Sequence, residues 1–284
     1  MKLSGSNYGM PSTPIDRALA FHAELGVEAV ELTVLPGYAT ALETWTPDER
    51  RRVRGLLRQH GLVVSGVADF QSLVDPDAAA AEAVMAHHRG AIDLAAELAA
   101  DGAPGVVPFT SGGRVEEWPE VRARLIDRVG ALAEHARSRG VTLALKAHAN
   151  GAVSRPYQLV DLFEQVGSPG FGLCFDMSHY EVQGLSIEQA MYPLLTLSIH
   201  VEVKASVGRA PQQTYMIPGE PNTQSDFPGQ FVAMHRLGYR GYVVPEMSVH
   251  VYRRPDYDPF AAMRLAVATL RGLVEVPPRL GDNG

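Results

Sequence analysis

The chain has 284 residues, of which 46% are hydrophobic and 20% are charged, a balance that is typical of a globular protein and excludes predominant disorder. Its 32 acidic residues outnumber the 25 basic ones, and the net charge of −7 argues against a surface that binds a nucleic-acid backbone. The single cysteine, Cys174, cannot form an intramolecular disulfide, and neither a membrane-spanning run nor a signal peptide is recognisable, so we expect a cytoplasmic protein that does not bind membranes.

Short β-rich runs alternate with longer helical runs along the chain, which is typical of a parallel sheet. The pattern predicts eight strands, over residues 2–8, 27–32, 62–70, 105–109, 141–146, 172–175, 197–204 and 241–245. A helix is predicted after each strand, over residues 13–25, 46–59, 77–100, 118–139, 155–166, 187–195, 227–237 and 258–273. A longer loop rich in Pro and Gln separates the seventh strand from its helix.

Eight strand–helix pairs fit a closed (β/α)8 TIM barrel better than an open, doubly wound α/β sheet. The open sheet would need a glycine-rich phosphate-binding turn after its first strand, and residues 4–8 do not match G-x-G-x-x-G. Because no repeat, linker or charge block divides the chain, we predict a single TIM-barrel domain over residues 1–284.

Polar residues lie at or near the ends of most of these apolar strands, and in TIM barrels the carboxyl ends of the strands form the active site. The candidates, in chain order, are Glu31, Asp69, Lys146, His148, Asp176, His179, His200, Glu202, Lys204 and Glu246. Glu31 and Asp69 are the weakest of them, with expected roles in holding loops or binding substrate.

Side-chain alternation along the seventh strand predicts which residues face the barrel interior. His200, Glu202 and Lys204 are spaced two apart and therefore point the same way, while Val201 and Val203 point towards the helices. Ionisable groups inside a barrel are unfavourable unless they are paired or bound to a metal. By the same parity, residues 146 and 148 share one face of the fifth strand.

Each candidate also has a structural interpretation. Asp176 could cap the following helix, and His179 could be a loop residue that hydrogen-bonds to the backbone. Glu246 could pair with an arginine, and Lys146 could form a structural salt bridge with Glu202. Four successive strands ending in charged or imidazole groups nevertheless favour an active site over four unrelated structural roles.

Several segments resemble the sugar phosphate isomerase/epimerase superfamily, the barrels related to xylose isomerase. They are 172–179 with its D-x-x-H motif, V-E-V-K at 201–204, V-V-P-E at 243–246, and the segments 217–220, 237–241 and 253–259. The resemblance covers nearly the whole chain and implies a xylose isomerase-like TIM barrel. It says little about substrate, because the superfamily contains isomerases, epimerases, dehydratases and endonucleases.

The resemblance also implies a metal site. Members of the family usually bind one divalent cation through Glu, Asp, His and Glu at the ends of strands five to eight. Asp176 and Glu246 match the Asp and the last Glu of that set, and His179 matches the D-x-x-H histidine, which faces the substrate in relatives.

Two positions of the metal-binding set depart from the family pattern. Lys146 stands where the strand-five Glu is expected, and Glu202 stands where the strand-seven His is expected, with His200 as a competing alignment. The Asp that usually follows the V-K pair is replaced by Ala205. A protonated lysine cannot ligate a metal, so Lys146 is deprotonated, turned towards substrate, or a substitute for the charge of the metal.

Three carboxylates in one pocket, those of Asp176, Glu202 and Glu246, would repel one another unless a positive charge lies among them. One divalent metal (Mn, Co, Zn or Mg), with nitrogen from His148 or His200, is the answer we favour. The other possible source of positive charge is the ammonium group of Lys146 alone.

The leading hypothesis is an isomerase or epimerase of a small sugar, keto-sugar or polyol derivative, acting by metal-assisted proton abstraction next to a carbonyl. Glu246 or Lys146 would be the general base. His179 and Lys204 would hold substrate hydroxyls, and Arg209 would meet an anionic group.

Two alternatives stay open. The first is a dehydratase acting on a keto-inositol, for which His148 would be the acid at the leaving hydroxyl. The second is a barrel that binds a sugar without metal or turnover. An apurinic-site endonuclease is disfavoured, because the chain is acidic and lacks the extra histidines of a multi-metal site. The expected partner is a small carbohydrate, and a homo-oligomer is compatible with the sequence.

Overall fold

The computed structural model describes residues 1–99 and 105–275. Within them lie the strands β1 (Lys2–Ser6), β2 (Ala29–Thr33), β3 (Val63–Ala68), β4 (Gly105–Thr110), β5 (Val141–Lys146), β6 (Phe171–Phe175), β7 (Ser198–Val203), β8 (Ala205–Val207), β9 (Thr214–Met216) and β10 (Tyr242–Pro245). The helices are α1 (Ile15–Glu24), α2 (Pro47–His60), α3 (Ala78–Leu98), α4 (Trp118–Ser138), α5 (Pro156–Val166), α6 (Ser178–Glu181), α7 (Ile187–Leu194), α8 (Phe227–Arg236), α9 (Val249–Tyr252) and α10 (Pro259–Glu275).

Eight parallel strands form a nearly closed barrel, which confirms the predicted (β/α)8 architecture. The strand order is β3–β2–β1–β10–β7–β6–β5–β4, and every neighbouring pair in it is parallel. The chain therefore runs once round the cylinder, with β10 returning beside β1. All eight carboxyl ends consequently meet at one mouth.

β3 and β4 meet at a seam, where no continuous ladder is formed among the described residues. The Asp69 backbone N–H donates to the Pro108 carbonyl at 3.0 Å across this seam. In a strand, the N–H and C=O of one residue point to the same side, so the N–H that Pro108 lacks is on the side of β3. The proline thus removes a hydrogen bond from the seam.

The predicted helix boundaries follow local signals, of which α2 is a clear case. The Thr46 side chain accepts a hydrogen bond from the Glu49 backbone N–H at 3.2 Å, with Pro47 in the first turn. Gly61 ends the helix with φ = 65°, a left-handed conformation that glycine adopts without strain. Val53 and Leu57 are the buried face of this helix, which packs against the barrel.

Helix α1 lies unusually close to strand β1 at one point. A side chain added at Gly5 would place its Cβ 2.0 Å from Cδ2 of His22. His22 is fully buried, and burial lowers its pKa to about 4. Glycine at position 5 therefore permits a neutral imidazole to pack directly on the strand backbone.

The structure differs from the sequence prediction in a few elements. The first strand ends at Ser6 instead of Tyr8, because the Asn7 side chain accepts a hydrogen bond from the Thr33 backbone N–H at 2.7 Å and turns the chain. The loop after the seventh strand contains an antiparallel hairpin, β8 with β9, and the short helices α6 and α9 are additional. Residue 100, the predicted end of the third helix, lies outside the described residues, as does the end of the predicted domain.

None of the described helices combines the length and the apolarity that a membrane crossing requires.

Candidate active site

A cavity of about 370 Å³ opens at the carboxyl ends of the strands. Lys146 at the end of β5, Lys204 directly after β7 and Glu246 directly after β10 line its floor. Aromatic and imidazole side chains contribute much of its wall: Tyr8, Phe70, His148, His179, Tyr215 and His250. The cavity is therefore built at the position where TIM barrels carry their chemistry.

Lys146 donates hydrogen bonds to two carboxylates, those of Glu202 and Glu246. Its side chain is 3% exposed, and its Nζ lies 4.7 Å from the centre of the Phe70 ring. Burial disfavours the ammonium, but the charges of Glu202 and Glu246 outweigh it and hold the pKa of Lys146 well above its ordinary value. Lys146 is therefore a buried cation.

Lys204 is the second buried amine of the site. It donates to Asp176 and, at 3.1 Å, to Glu246, so Glu246 lies between two lysines. Its Nζ also lies 3.1 Å from Nε2 of His179 and 5.0 Å from the centre of the Tyr215 ring. The predicted interior orientation of the polar residues of the seventh strand accounts for this arrangement.

The pKa values of the Glu202 and Glu246 carboxyl groups are shifted in opposite directions. Burial opposes ionisation of both, but the adjacent ammoniums of Lys146 and Lys204 hold the pKa of Glu246 well below its ordinary value. Burial is the main cause that raises the pKa of Glu202, with the negative charges of Glu246 and Glu31 adding to it. Of the two, Glu246 is the carboxyl whose surroundings favour ionisation, and it lines the cavity.

Two histidines pack against each other beside the lysines, with their ring planes tilted by 48°. The rings of His148 and His179 have centroids 4.5 Å apart, and the Tyr215 hydroxyl lies 2.6 Å from Nδ1 of His179. Burial, with the charges of Lys204 and Lys146, lowers the pKa of His148 to about 4 and that of His179 well below its ordinary value. Both imidazoles are therefore neutral near pH 7.

Among the described residues, two groups have the spacing of a metal site. Their ligand atoms lie within 4.8 Å of one another, and the groups are Glu31, His200, Glu202 and Asp176, Glu202, Glu246. In the second group, which matches the metal position implied by the sequence, each carboxylate already accepts a hydrogen bond from a lysine. An ammonium donates only and repels a cation, so this donor set fits two lysines and does not fit a divalent metal beside them.

A second polar group lies deeper in the barrel, away from the cavity lining. Nε2 of His200 lies 2.8 Å from the Glu31 carboxylate, which also accepts a hydrogen bond from the Ser6 hydroxyl at 3.1 Å. Both His200 and Glu31 are buried. In this arrangement Glu31 interacts with a histidine of the barrel interior instead of lining the cavity.

Two of the sequence candidates lie apart from the lysine cluster. Asp69 is buried against α3, with its carboxylate 2.8 Å from Nδ1 of His87 and 3.1 Å from Nδ1 of His88. Arg209 lies in the turn between β8 and β9 and donates to the Glu181 carbonyl at 2.5 Å. The structure thus brings together Lys146, Lys204 and the acids around them, and it leaves Asp69 and Arg209 outside the cavity lining.

Sequence reasoning missed the aromatic wall. Tyr8 contacts Phe70 and Tyr252 edge-on, with ring centroids 5.3 and 5.7 Å apart. Tyr215 reaches the cavity because the hairpin of β8 and β9 folds over the mouth. Residues in irregular loops have no periodicity, so their convergence is not visible before the chain is folded.

Comparison with known protein families gives a match over most of the chain. The sequence matches the family described as xylose isomerase-like TIM barrel over residues 19–272. No curated protein sequence matches the chain significantly.

Solved structures with the same fold include three informative cases. D-psicose 3-epimerase from Clostridium cellulolyticum H10, solved with D-tagatose, has a TM-score of 0.77 at 18% identity, covering 97% of this chain and all of that one. The 3-keto-D-glucoside 4-epimerase of E. coli has a TM-score of 0.76 at 16% identity, covering 96% and 99%. The IolI protein, solved with a zinc atom, has a TM-score of 0.77 at 16% identity, covering 96% and 98%. At such identities the likeness establishes the fold.

Proposed function

The chain belongs to the xylose isomerase-like TIM barrel family, and from this premise we propose that it is an enzyme that isomerises or epimerises a small keto-sugar or polyol derivative. The observation that carries the proposal is the position of the Glu246 carboxyl group, which accepts hydrogen bonds from two buried lysines and lines the cavity. Two of the similar structures are epimerases of sugars that carry a ketone, which supports the reaction class.

The proposed chemistry is enolisation. Glu246 accepts the proton from the carbon next to the substrate carbonyl, the C–H electrons form a C=C bond, and the carbonyl oxygen becomes an enediolate oxyanion. Lys146 and Lys204 stabilise that oxyanion, because fixed charges in a site of low dielectric act strongly on developing charge. Return of the proton to the former carbonyl carbon, with movement of the hydroxyl proton from the neighbouring oxygen to the oxyanion, moves the carbonyl and completes an isomerisation. Return of a proton to the original carbon from the opposite face completes an epimerisation.

The divalent metal expected from the sequence is no part of this proposal. Its carboxylate ligands, Asp176, Glu202 and Glu246, accept hydrogen bonds from lysines, and we route no step through a cation. The zinc atom solved with the IolI protein supports metal binding in that protein.

The dehydratase alternative depended on His148 as an acid at the leaving hydroxyl. Its pKa of about 4, lowered by burial and the neighbouring lysines, leaves almost no protonated imidazole near pH 7. A neutral His148 is better suited to forming a hydrogen bond with a substrate hydroxyl than to protonating a leaving hydroxyl group. The lowered pKa of His148 therefore favours isomerisation or epimerisation over dehydration.

The proposal is tested by proton exchange in D2O. The protein is incubated with D-tagatose and with a 3-keto-D-glucoside, and NMR follows loss of the α-proton signal and formation of the isomer. We expect exchange with wild type and none with Glu246→Gln, whereas Glu120→Gln, which alters an exposed acid, keeps the wild-type rate. Circular dichroism checks that both variants fold.

Two results would overturn the proposal. Tight binding of the ketoses without any exchange would indicate a sugar-binding barrel, and a product lighter by one water would indicate a dehydratase.

A further inference from the structure

We propose that Lys146 and Lys204 together take the place of the divalent cation that the family resemblance implies, so that the substrate carbonyl is polarised by two buried ammoniums. This inference rests on the proposed function for its catalytic part. Its structural part, the exclusion of a divalent metal, stands separately and is tested without substrate.

The first argument is charge. Two ammoniums carry +2, the charge of one divalent cation, and they lie among the same three carboxylates that would ligate it. Adding a metal without moving the lysines would place +4 among at most three negative charges. At buried positions, where Coulomb interactions are weakly screened, such an excess is strongly unfavourable.

The second argument is the direction in which the amines face. Lys146, Lys204 and Glu246 line the cavity, while Asp176 and Glu202 lie behind them and do not. The positive charges of the two lysines would therefore act on a carbonyl oxygen in the cavity. Lys146, which has two hydrogen-bond acceptors among the described residues, keeps one N–H donor for it. The carboxylates behind hold the amines in position, as metal ligands hold a metal.

The third argument is the aromatic cover. Phe70 lies beside Lys146 and Tyr215 beside Lys204, with ring centres 4.7 and 5.0 Å from the two nitrogens. Aromatic faces attract ammonium groups and exclude water, but they provide no oxygen or nitrogen to complete the coordination of a metal. These two ring contacts favour an ammonium at each nitrogen position, and Nε2 of His179 also lies 3.1 Å from Lys204 Nζ.

Lysine usage adds a fourth observation. The chain contains only three lysines against 22 arginines, so arginine supplies nearly all its other positive charge. The third lysine, Lys2, is half exposed on β1 and pairs with Glu28 at 3.4 Å. A compact ammonium with three donors can bridge two carboxylates at close range, which the planar guanidinium fork cannot do in the same space.

The scarcity of lysine makes the test direct. In protein labelled with 13C and 15N at lysine only, the three side chains give three sets of signals, and Lys2→Met identifies the exposed one. After treatment with a chelator the protein is titrated with Mn2+, whose paramagnetism broadens the signals of nearby groups. Bound manganese is measured in parallel by equilibrium dialysis.

We expect no stoichiometric manganese and no selective broadening of the Lys146 and Lys204 signals relative to Lys2. One bound equivalent that broadens the two buried signals first would overturn the proposal. Neither readout requires a substrate, so a failure of the proposed function leaves this result interpretable.

The catalytic part is tested by the exchange assay. We expect exchange to persist in excess chelator and to fall about 100-fold in Lys146→Met and in Lys204→Met, the loss typical of removing one oxyanion-stabilising donor. Lys2→Met should keep the wild-type rate. Loss of exchange in chelator with recovery on adding metal would refute the substitution. Borohydride trapping of the ketose on either buried lysine would instead assign an imine role and refute the electrostatic one.

Discussion

Replacing Lys146 by methionine tests whether the buried cluster is a coupled charge network. The substitution keeps the length of the side chain and removes the ammonium that contacts Glu202 and Glu246. Those two side chains are 0% and 6% exposed, so they would be left in the interior without this partner. Removing one partner of a buried ion pair destabilises a protein by about 3–5 kcal/mol, and we expect a loss of this size in the free energy of unfolding.

Lys2→Met is the matched control. Its partner Glu28 is 59% exposed and Lys2 itself 53% exposed, so this pair is surrounded by solvent. Exposed ion pairs contribute about 0–1 kcal/mol, and the control should be nearly neutral. Urea unfolding at pH 7, followed by circular dichroism, measures both variants.

The pH dependence gives a second check on the same variant. The pKa of Glu246 is lowered in the folded wild type, so the stability it contributes is present above its unfolded value of about 4.3 and is lost as the pH falls through the lower folded value. Without Lys146, protonation becomes favourable at higher pH, and the difference between variant and wild type should shrink on acidification. A Lys146→Met variant as stable as Lys2→Met at pH 7 would refute the network.

Three further predictions concern other parts of the molecule. Gly5→Ala should destabilise the protein by about 1–3 kcal/mol through overpacking against His22, while Gly55→Ala in α2, where an added Cβ meets nothing within 4 Å, should be neutral or stabilising in the same urea assay. Burial lowers the pKa of His22 to about 4, so the folded protein binds a proton at this residue less readily than the unfolded chain does. The free energy of unfolding should therefore fall by about 3 kcal/mol as the pH drops from about 6.5 towards 4. In His22→Leu this contribution to the pH profile should be absent. Tyr215→Phe removes the hydroxyl 2.6 Å from His179, and we expect about a tenfold lower kcat/KM in the exchange assay with unchanged thermal stability; an unchanged kcat/KM would contradict a role for this hydroxyl.

Much of the barrel could be predicted because its signals are local. The strand at Val141–Lys146 has the predicted bounds, since an apolar run there follows a glycine that ends the preceding helix. Side-chain parity also predicted that His200, Glu202 and Lys204 share the interior. These properties depend on a period of two along one strand and not on partners elsewhere.

The pairing inside the site could not be predicted in the same way. Lys204 contacts Asp176, which directly follows the neighbouring strand β6, and His200 contacts Glu31, 169 residues earlier in the chain. Parity indicates that such groups point inward, but it does not determine which of several inward groups meet. The sequence predicted one lysine, Lys146, among the three acids and did not predict that Lys204 joins them. Only the closed barrel brings both lysines to the carboxylate of Glu246.

We expect the barrel to open locally most often at the seam between β3 and β4. Elsewhere each strand is joined to its neighbours by a ladder, whereas the seam contains a proline that donates nothing and only partial backbone pairing among the described residues. Local opening is least costly where the fewest hydrogen bonds must break together. Amide protons of β3 and β4 that face this joint should therefore exchange before those of β6 and β7. Transient widening there would admit solvent to the barrel while the ladders that join β5, β6, β7 and β10, which carry the charged cluster, stay formed.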